Sequence, residues 1–446
     1  MLSIFGSPPR HGCDGLVRRD FLKLGAAGVC GLSLPALLEA RAQAARLGSE
    51  AKDTSIIFLF LNGGPSHYET FDPKPDNPLP FRSVVGATKT NVPGTLLGGL
   101  FHDLSKLADK FTLLRAYTHT SADHADATHF LMTGHAHRPA AFGAAQNQPS
   151  LGAVVSRHRG PVNEQTLLPN YAKQDYIYAE GPDWLGASHN AFDIRGKSMD
   201  DMTQRIPQER LADRRGLLQS LDKLNRQIDQ TGAMDALGEF EGRAVELVRG
   251  KAREAFDLSR EDAKTRERFG KGKENLGEKL LLARRLAEAG VGLINVRYGS
   301  WDSHGTNPAV NHGTIEEEMH KYVPELDRAL SILIQDIYER GLEKKILVAV
   351  VGEFGRTPNV DKVSGGRDHW PQLGNQLLVG GGMKMGQVIG SSTTRGEEPN
   401  SYPVSPNDLR ATFFKFLGIP LDLKYIHPSG RPQPMINNGQ PIAALW

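Results

Sequence analysis

A chain of 446 residues with 39% hydrophobic side chains can bury a large core, and α/β architectures of this length often form one domain. Its 53 basic and 51 acidic residues are nearly balanced. Five of the basic and three of the acidic residues fall in the first 44 positions, which leaves 48 of each in the remainder. That parity gives no basis for nucleic acid or an anionic membrane surface as a partner.

In chain order, the first segment is VRRDFLK at 17–23, where Arg18 and Arg19 precede an apolar, glycine-rich run, LGAAGVCGLSLPALL. With small residues at Ala42 and Ala44 as cleavage options, residues 1–44 resemble a twin-arginine export leader. Both cysteines, Cys13 and Cys30, lie inside it. The exported chain is therefore expected to lack disulfides, and any metal site must draw on His, Asp, Glu or Asn. Cys30 follows Ala27-Gly28-Val29, a poor context for lipid attachment, so a soluble exported protein is expected rather than a lipoprotein. No other segment reaches the ~18 apolar residues that span a bilayer.

Beyond the leader, unalternating apolar runs at 55–61, 111–116, 292–297 and 346–351, with a weaker one at 376–379, suit strands buried on both faces. Helical patterns at 98–109, 276–289 and 314–341 precede three of them, and Pro324 is expected to kink or interrupt the last. Residues 138–200 read as irregular. Residues 205–260 read as a charged helix whose apolar face carries Leu211, Leu218, Leu221, Leu224 and Ile228. Together, roughly 138–275 form an expected insertion in a domain spanning 54–446. The stretch 391–400 reads as a flexible polar loop. Ser405-Pro406-Asn407-Asp408 is a capping box that opens a last helix, closed by Gly418. Alternating helices and buried strands predict a three-layer α/β fold.

Ligand-type residues gather after these strands, where open parallel sheets place their sites. NGGPSHYETFD carries Asn62, His67, Glu69 and Asp72; YGSWDSHG carries Asp302 and His304; EFGRTP carries Glu353 and Arg356; GGRDHWP carries Arg367, Asp368 and His369. Asp302 and His304 are spaced to share one side of an extended segment, as two ligands of one ion or as a surface turn. Glu353 ends an apolar strand and must be either a ligand or the ionic partner of Arg356 or Arg367. Asp368 is a candidate to orient the His369 imidazole. The NGGPSH turn either presents backbone N–H groups to an anion or brings His67 to a metal.

Residues 118–135, THTSADHADATHFLMTGH, hold four of the fifteen histidines. Ser121 as N-cap and Gly134 as terminator predict a helix over about 122–132. His124 and His129, five residues apart, lie about 140° apart around its axis and cannot share an ion. His119 and His124 are the functional candidates. His129, His135 and His137 are expected to hydrogen-bond or sit at the rim.

Taken together, the leader, LNGGPSHYETFDPKP, THTSADHADATHFLMTGH, WDSHG and GEFGRTP…GRDHWP resemble the exported family catalogued as domain of unknown function 1501. That family is grouped with the alkaline phosphatase and sulfatase superfamily, which implies a metal-dependent α/β/α sandwich. By that resemblance His124 stands ten residues before Gly134, where sulfatases keep their nucleophile. Val351-Gly352-Glu353-Phe354-Gly355 occupies the place of an Asp-His-Gly strand end, and Asp408, Thr412, Gly418 and Ile419 match the terminal helix. The sequence departs from the superfamily at His124, at Asn62 (an aspartate in relatives) and at Phe354 (a histidine), and it lacks the C-x-P-S-R signature.

The resemblance implies an exported hydrolase of anionic esters, sulfate or phosphate, with glycans among the carriers. It implies one or two divalent ions (Zn, Ca, Mg or Mn) on Asp302, His304, His369 and Glu353, with His119, His124 and His67 as further ligands. His124, Arg356 and Arg367 are the expected catalytic group, the arginines gripping the anion beside a metal-activated water. The alternatives are a non-catalytic envelope protein that binds a glycan or protein partner, and a phosphatase using Thr120 or Ser121 as covalent nucleophile. The expected partners are the ester and, during export, the twin-arginine translocase.

Overall fold

The computed structural model describes residues 53–136, 146–195, 251–272, 275–306 and 313–446. The leader at 1–44, His137 and most of the helical stretch expected at 205–260 lie outside the described residues. The strands and helices that build the site are β1 (Ser55–Leu61), β2 (Phe111–Tyr117), α1 (His124–Thr133), α2 (Leu151–Arg159), β3 (Tyr171–Lys173), β4 (Phe192–Asp193), α3 (Leu276–Glu288) and β5 (Leu293–Tyr298). They continue with α4 (Ile315–Glu339), β6 (Ile346–Val351), β7 (Gly355–Arg356), β8 (His369–Trp370), β9 (Gly374–Gly380), β10 (Gln387–Ile389) and α5 (Pro406–Leu417).

Eight strands form the central sheet in the order β10-β2-β9-β6-β1-β5-β3-β4. All its pairings are parallel except those of β9, which runs antiparallel to β2 and β6. The unalternating run of β1 has a simple cause. Ile57, Leu59 and Leu61 enter one core with α3 and α4, while Ile56, Phe58 and Phe60 enter a second with α1, α2 and α5. With successive side chains on opposite faces, a strand covered on both sides must be apolar throughout. The chain is thus a three-layer α/β sandwich. Phe413 of α5 meets Phe58 edge-on with ring centroids 6.4 Å apart. Among the described residues no helix is long and apolar enough to cross a membrane.

Four local expectations change. The helix expected at 98–109 is a 3-10 run only at Leu104–Lys110, because Leu96–Gly98 pairs with Ala87–Lys89 as a small hairpin. Asp327 of α4 then accepts from the backbone N–H groups of His102, Asp103 and Leu104. Helix α4 runs unbroken through Pro324, which lies on its exposed face, so water can serve the carbonyl that loses its helical partner. Residues 151–193 are less irregular than expected, since β3 and β4 extend the sheet beyond β5. Within 391–400, Ser391–Ser392 pairs with Pro399–Ser401 rather than forming a free loop. Ser405 and Gly418 cap α5 as expected.

Candidate functional site

The parallel strands β1, β2, β5 and β6 all end at one edge of the sheet, and antiparallel β9 starts there, with Gly374 opposite Tyr117. The loops after the four strands and the segment before β9 therefore meet. Backbone contact fixes the central pair of loops. Gly63 and Gly64 leave β1 with φ of 108° and 74°, and the Trp301 N–H donates to the Asn62 carbonyl at 2.7 Å. A Cβ on Gly63 would sit 2.7 Å from the Asp302 nitrogen, and one on Gly64 would collide with the Phe354 ring. Only glycine lets β1 turn this close to the segment that carries Asp302.

Four side chains converge at this edge: His124, Asp302, His304 and His369 each offer one donor atom, all within 4.8 Å of one another. Asp302 Oδ1 lies 3.2 Å from His124 Nε2, 2.9 Å from His304 Nε2 and 3.2 Å from His369 Nε2. The Nε2 atoms of His304 and His369 are 2.9 Å apart. All four residues are partly open to solvent.

The opposite ring nitrogens explain this convergence. His124 Nδ1–H donates to Glu353 Oε1 at 2.9 Å, His304 Nδ1–H to Asp368 Oδ1 at 2.7 Å, and His369 Nδ1–H to the Ala122 carbonyl at 2.7 Å. Each partner can only accept, so Nδ1 carries a proton, and Nε2, once that side of the ring is unprotonated, is a lone-pair donor facing the cluster. His124 Nε2 is buried and faces Asp302 Oδ1 at 3.2 Å, so both atoms are turned toward the point an ion would occupy. Three imidazole nitrogens and one carboxylate oxygen, each ring backed by an acceptor, fit a divalent metal ion.

The segment Glu353–Arg356 surrounds the cluster. Glu353 also accepts from the Gly63 N–H at 2.8 Å, which ties the ends of β6 and β1 together. The Phe354 ring packs 5.2 Å from His124 and 4.5 Å from His369, centroid to centroid. Arg356, fully buried, places Nη2 2.6 Å from Asp302 Oδ1 and donates to the carbonyls of Gly63, Gly64 and Arg367. Electrostatics follow the geometry. Burial works against a charged His124, but hydrogen bonds to Asp302 and Glu353 prevail and raise it to about 9. For Asp302 burial acts upward, yet the three imidazoles and Arg356 hold its carboxyl far below the usual range. His304 is raised chiefly by its bond to Asp302. The same negative partners that raise His124 and His304 would favour a cation bound in place of those protons.

Several sequence-expected residues are placed elsewhere. Glu353 stands behind His124 rather than among the four donors, because its Oε1 is taken by the His124 ring and the Gly63 amide. His119 spends Nε2–H on the Glu353 carbonyl at 2.5 Å, and its Nδ1 accepts from the Ser121 N–H. His67 is fully buried, bonded through Nε2 to the Gly396 carbonyl at 3.0 Å and tilted against Tyr68. The arginines expected to grip an anion are buried and committed. Arg356 is described above; Arg367 pairs with Glu69 at 3.2 Å, donates to the carbonyls of Arg82, Thr357 and Pro358, and lies over the Tyr68 ring. Asp368 orients His304 rather than its neighbour His369. Helix α1 begins at His124 behind Asp123, whose carboxylate accepts from the Ala125 and Asp126 amides, two residues later than Ser121 would have set. His129 and His135 are held in hydrogen bonds near the helix end. Sequence reading named His124 as a further ligand beside Asp302, but missed the Ala122 carbonyl and the Phe354 wall. The Glu-Phe-Gly-Arg string directly after a buried strand was the available signal for the last.

The family model described as "Protein of unknown function (DUF1501)" matches residues 53–446. The chain belongs to the DUF1501 family. No curated protein matches this DUF1501 chain. Among solved structures it is similar to the lipoteichoic acid synthase LtaP from Listeria monocytogenes, at 12% identity over 83% of this chain and 73% of that one, with a TM-score of 0.38. It is similar to the PsFucS1 sulfatase from Pseudoalteromonas sp., at 12% identity over 87% and 71%, with a TM-score of 0.36. The phosphonate monoester hydrolase SpPMH from Silicibacter pomeroyi matches this DUF1501 chain at 12% identity over 87% and 76%, with a TM-score of 0.40.

Proposed function

We propose that this DUF1501 protein is an exported, metal-dependent hydrolase of anionic esters, sulfate or phosphate, with glycans among the carriers. The observation that carries the reading is the meeting of His124, Asp302, His304 and His369 at the sheet edge where the parallel strands end. A divalent ion bound there supplies Lewis acidity, lowering the pKa of a water and offsetting charge on an ester oxygen. The chain's own residues do the rest. His124, His304 and His369 present neutral nitrogens because Glu353, Asp368 and the Ala122 carbonyl hold their far sides. Arg356 holds Asp302 in place, and Phe354 closes one side of the cluster to water. The paired Arg18 and Arg19 ahead of an apolar run support export through the twin-arginine route.

A second reading has its own observation. Arg356 and Arg367 are both buried and bonded to protein oxygens, so neither offers a free fork to an anion. A non-catalytic envelope protein of this fold, binding a glycan or protein partner, needs no such fork. The two separate in one experiment: metal content of the purified protein, then cleavage of a panel of sulfate and phosphate esters by wild type and Asp302→Ala. Metal-dependent cleavage lost in the variant supports the hydrolase. Bound metal with no cleavage of any ester supports the binding protein.

A further inference from the structure

The donors at this site have a chemical character that goes beyond the statement that they hold a divalent ion. We propose that the cluster selects a transition-metal ion of the zinc class over calcium and magnesium, and that Glu353 is the positioning residue that makes it do so. The proposal rests on the reading that the four residues bind one ion, and is independent of whether an ester is cleaved.

Donor type comes first. Three of the four donor atoms are imidazole nitrogens and one is a carboxylate oxygen. Calcium takes six to eight oxygens and magnesium a near-octahedral oxygen shell rich in water, whereas zinc is satisfied by about four nitrogen and oxygen donors. The other carboxylates near the cluster are spent one step further out, Glu353 on His124 Nδ1 and Asp368 on His304 Nδ1. The remaining oxygen donor, Asp302 Oδ1, is shared with the buried Arg356 guanidinium at 2.6 Å. That shared charge weakens the site most for a hard ion, whose binding depends on anionic oxygens, and least for one that bonds well to imidazole.

Spacing agrees with donor type. Four donor–donor separations fall at 2.9, 2.9, 3.2 and 3.2 Å. An ion with four bonds of about 2.05 Å needs edges of roughly 3.3 Å, close to these four separations, and all four donor atoms lie within 4.8 Å of one another. The Phe354 ring against His124 and His369 further limits room for a hydrated shell.

Glu353 gives His124 its direction. Its carboxylate is 1% exposed, and Oε1 holds the imidazole N–H on one side and the Gly63 amide on the other. A buried charge on the far nitrogen fixes the tautomer and raises the basicity of Nε2. Glutamine at 353 keeps size and an acceptor oxygen but removes that charge. Asp368 does the same for His304 from an exposed position, its side chain 76% accessible, where solvent screens it.

The test is metal binding by the purified full chain after chelator treatment, followed by calorimetry with Zn²⁺, Co²⁺, Mg²⁺ and Ca²⁺ and by visible absorption of the Co²⁺ form. Zn²⁺ and Co²⁺ are expected to bind one per chain, tighter than Ca²⁺ or Mg²⁺ by on the order of a thousandfold. Glu353→Gln is expected to weaken Zn²⁺ by about 10- to 100-fold and to shift the Co²⁺ band, with Asp368→Asn doing less. Ca²⁺ or Mg²⁺ binding as tightly as Zn²⁺ overturns the selectivity, and a folded Glu353→Gln with unchanged affinity and spectrum overturns the role of Glu353. If that variant does not fold, the wild-type competition still decides the ion class. Asp302→Ala binding Zn²⁺ like wild type defeats the cluster itself, whereas tight Zn²⁺ without ester cleavage defeats only the hydrolase reading.

Discussion

Glu353 Oε1 lies 2.9 Å from His124 Nδ1 and 2.8 Å from the Gly63 nitrogen, so one buried oxygen joins the end of β6 to a donor of α1 and to the turn after β1. His124 is thereby tied to the sheet rather than merely to its helix. The consequence is testable at His124 itself. His124→Gln keeps an N–H group for Glu353 but withdraws the donor aimed at Asp302. Ester hydrolysis and bound metal should both fall at least tenfold, while circular dichroism and the melting midpoint stay within a few degrees of wild type. Retained metal in a folded His124→Gln protein would remove His124 from the donor set.

Asp302 Oδ1 faces two kinds of partner, three imidazole nitrogens and the buried Arg356 guanidinium. Asp302→Asn preserves shape but leaves Arg356 without its carboxylate. Three protein carbonyls still receive that guanidinium, so the cost is expected at about 2–3 kcal/mol, below that of an isolated buried charge. Urea unfolding of metal-free protein isolates this term from lost metal binding. An unchanged midpoint would show that Arg356 is satisfied by carbonyls alone.

Gly64 turns the chain at φ 74°, with the Phe354 ring where a Cβ would go. Gly64→Ala therefore combines a strained backbone with displacement of the ring that packs on His124 and His369. A loss of about 1–3 kcal/mol is expected, with weaker metal affinity because two donors lose their wall. Phe354→Leu in the same background relieves the collision and should recover part of the stability. No recovery would place the cost in the backbone alone.

The sheet was readable because its cause is local. Ile56 through Leu61 are all apolar since both faces of β1 are covered, and the same holds along β6. The antiparallel sense of β9 was not readable, because Gln376 to Val379 carry the same composition whichever way the strand runs. At the site, strand-end position pointed to the loops that carry Asp302, His304 and His369. Sequence shows what a residue can do but not which way its side chain turns. Glu353 reads as a ligand and Arg356 as an anion clamp until the structure shows one spent on His124 and the other folded back on Gly63 and Gly64. His124 was placed by spacing to Gly134, whereas its role beside Asp302 depends on the loop before α1, which sequence does not specify.

The last prediction concerns acid. His67 is fully buried with Nε2 bonded to the Gly396 carbonyl, and burial lowers it to about 4; Asp72 and the Gly396 carbonyl compensate in part, while Arg367 and Lys74 lower it further. His189 is also lowered to about 4, by burial and then by Arg157. In the unfolded chain both titrate near 6.5, so between pH 6.5 and 4 the unfolded state binds protons that the folded state refuses. Stability is then complete above about pH 6.5 and falls as pH drops toward 4, His67 contributing about 3 kcal/mol over the window. His124 acts with the opposite sign and outside this window. Raised to about 9 in ion-free protein, it contributes fully below pH 6.5 and is lost as pH climbs through 9. Urea unfolding of metal-free protein at pH 7 and pH 4.5 should show the lower midpoint at pH 4.5, and His67→Gln should flatten the difference. Equal midpoints at the two values, or an undiminished difference in a folded His67→Gln protein, would show that His67 does not govern the acid limb.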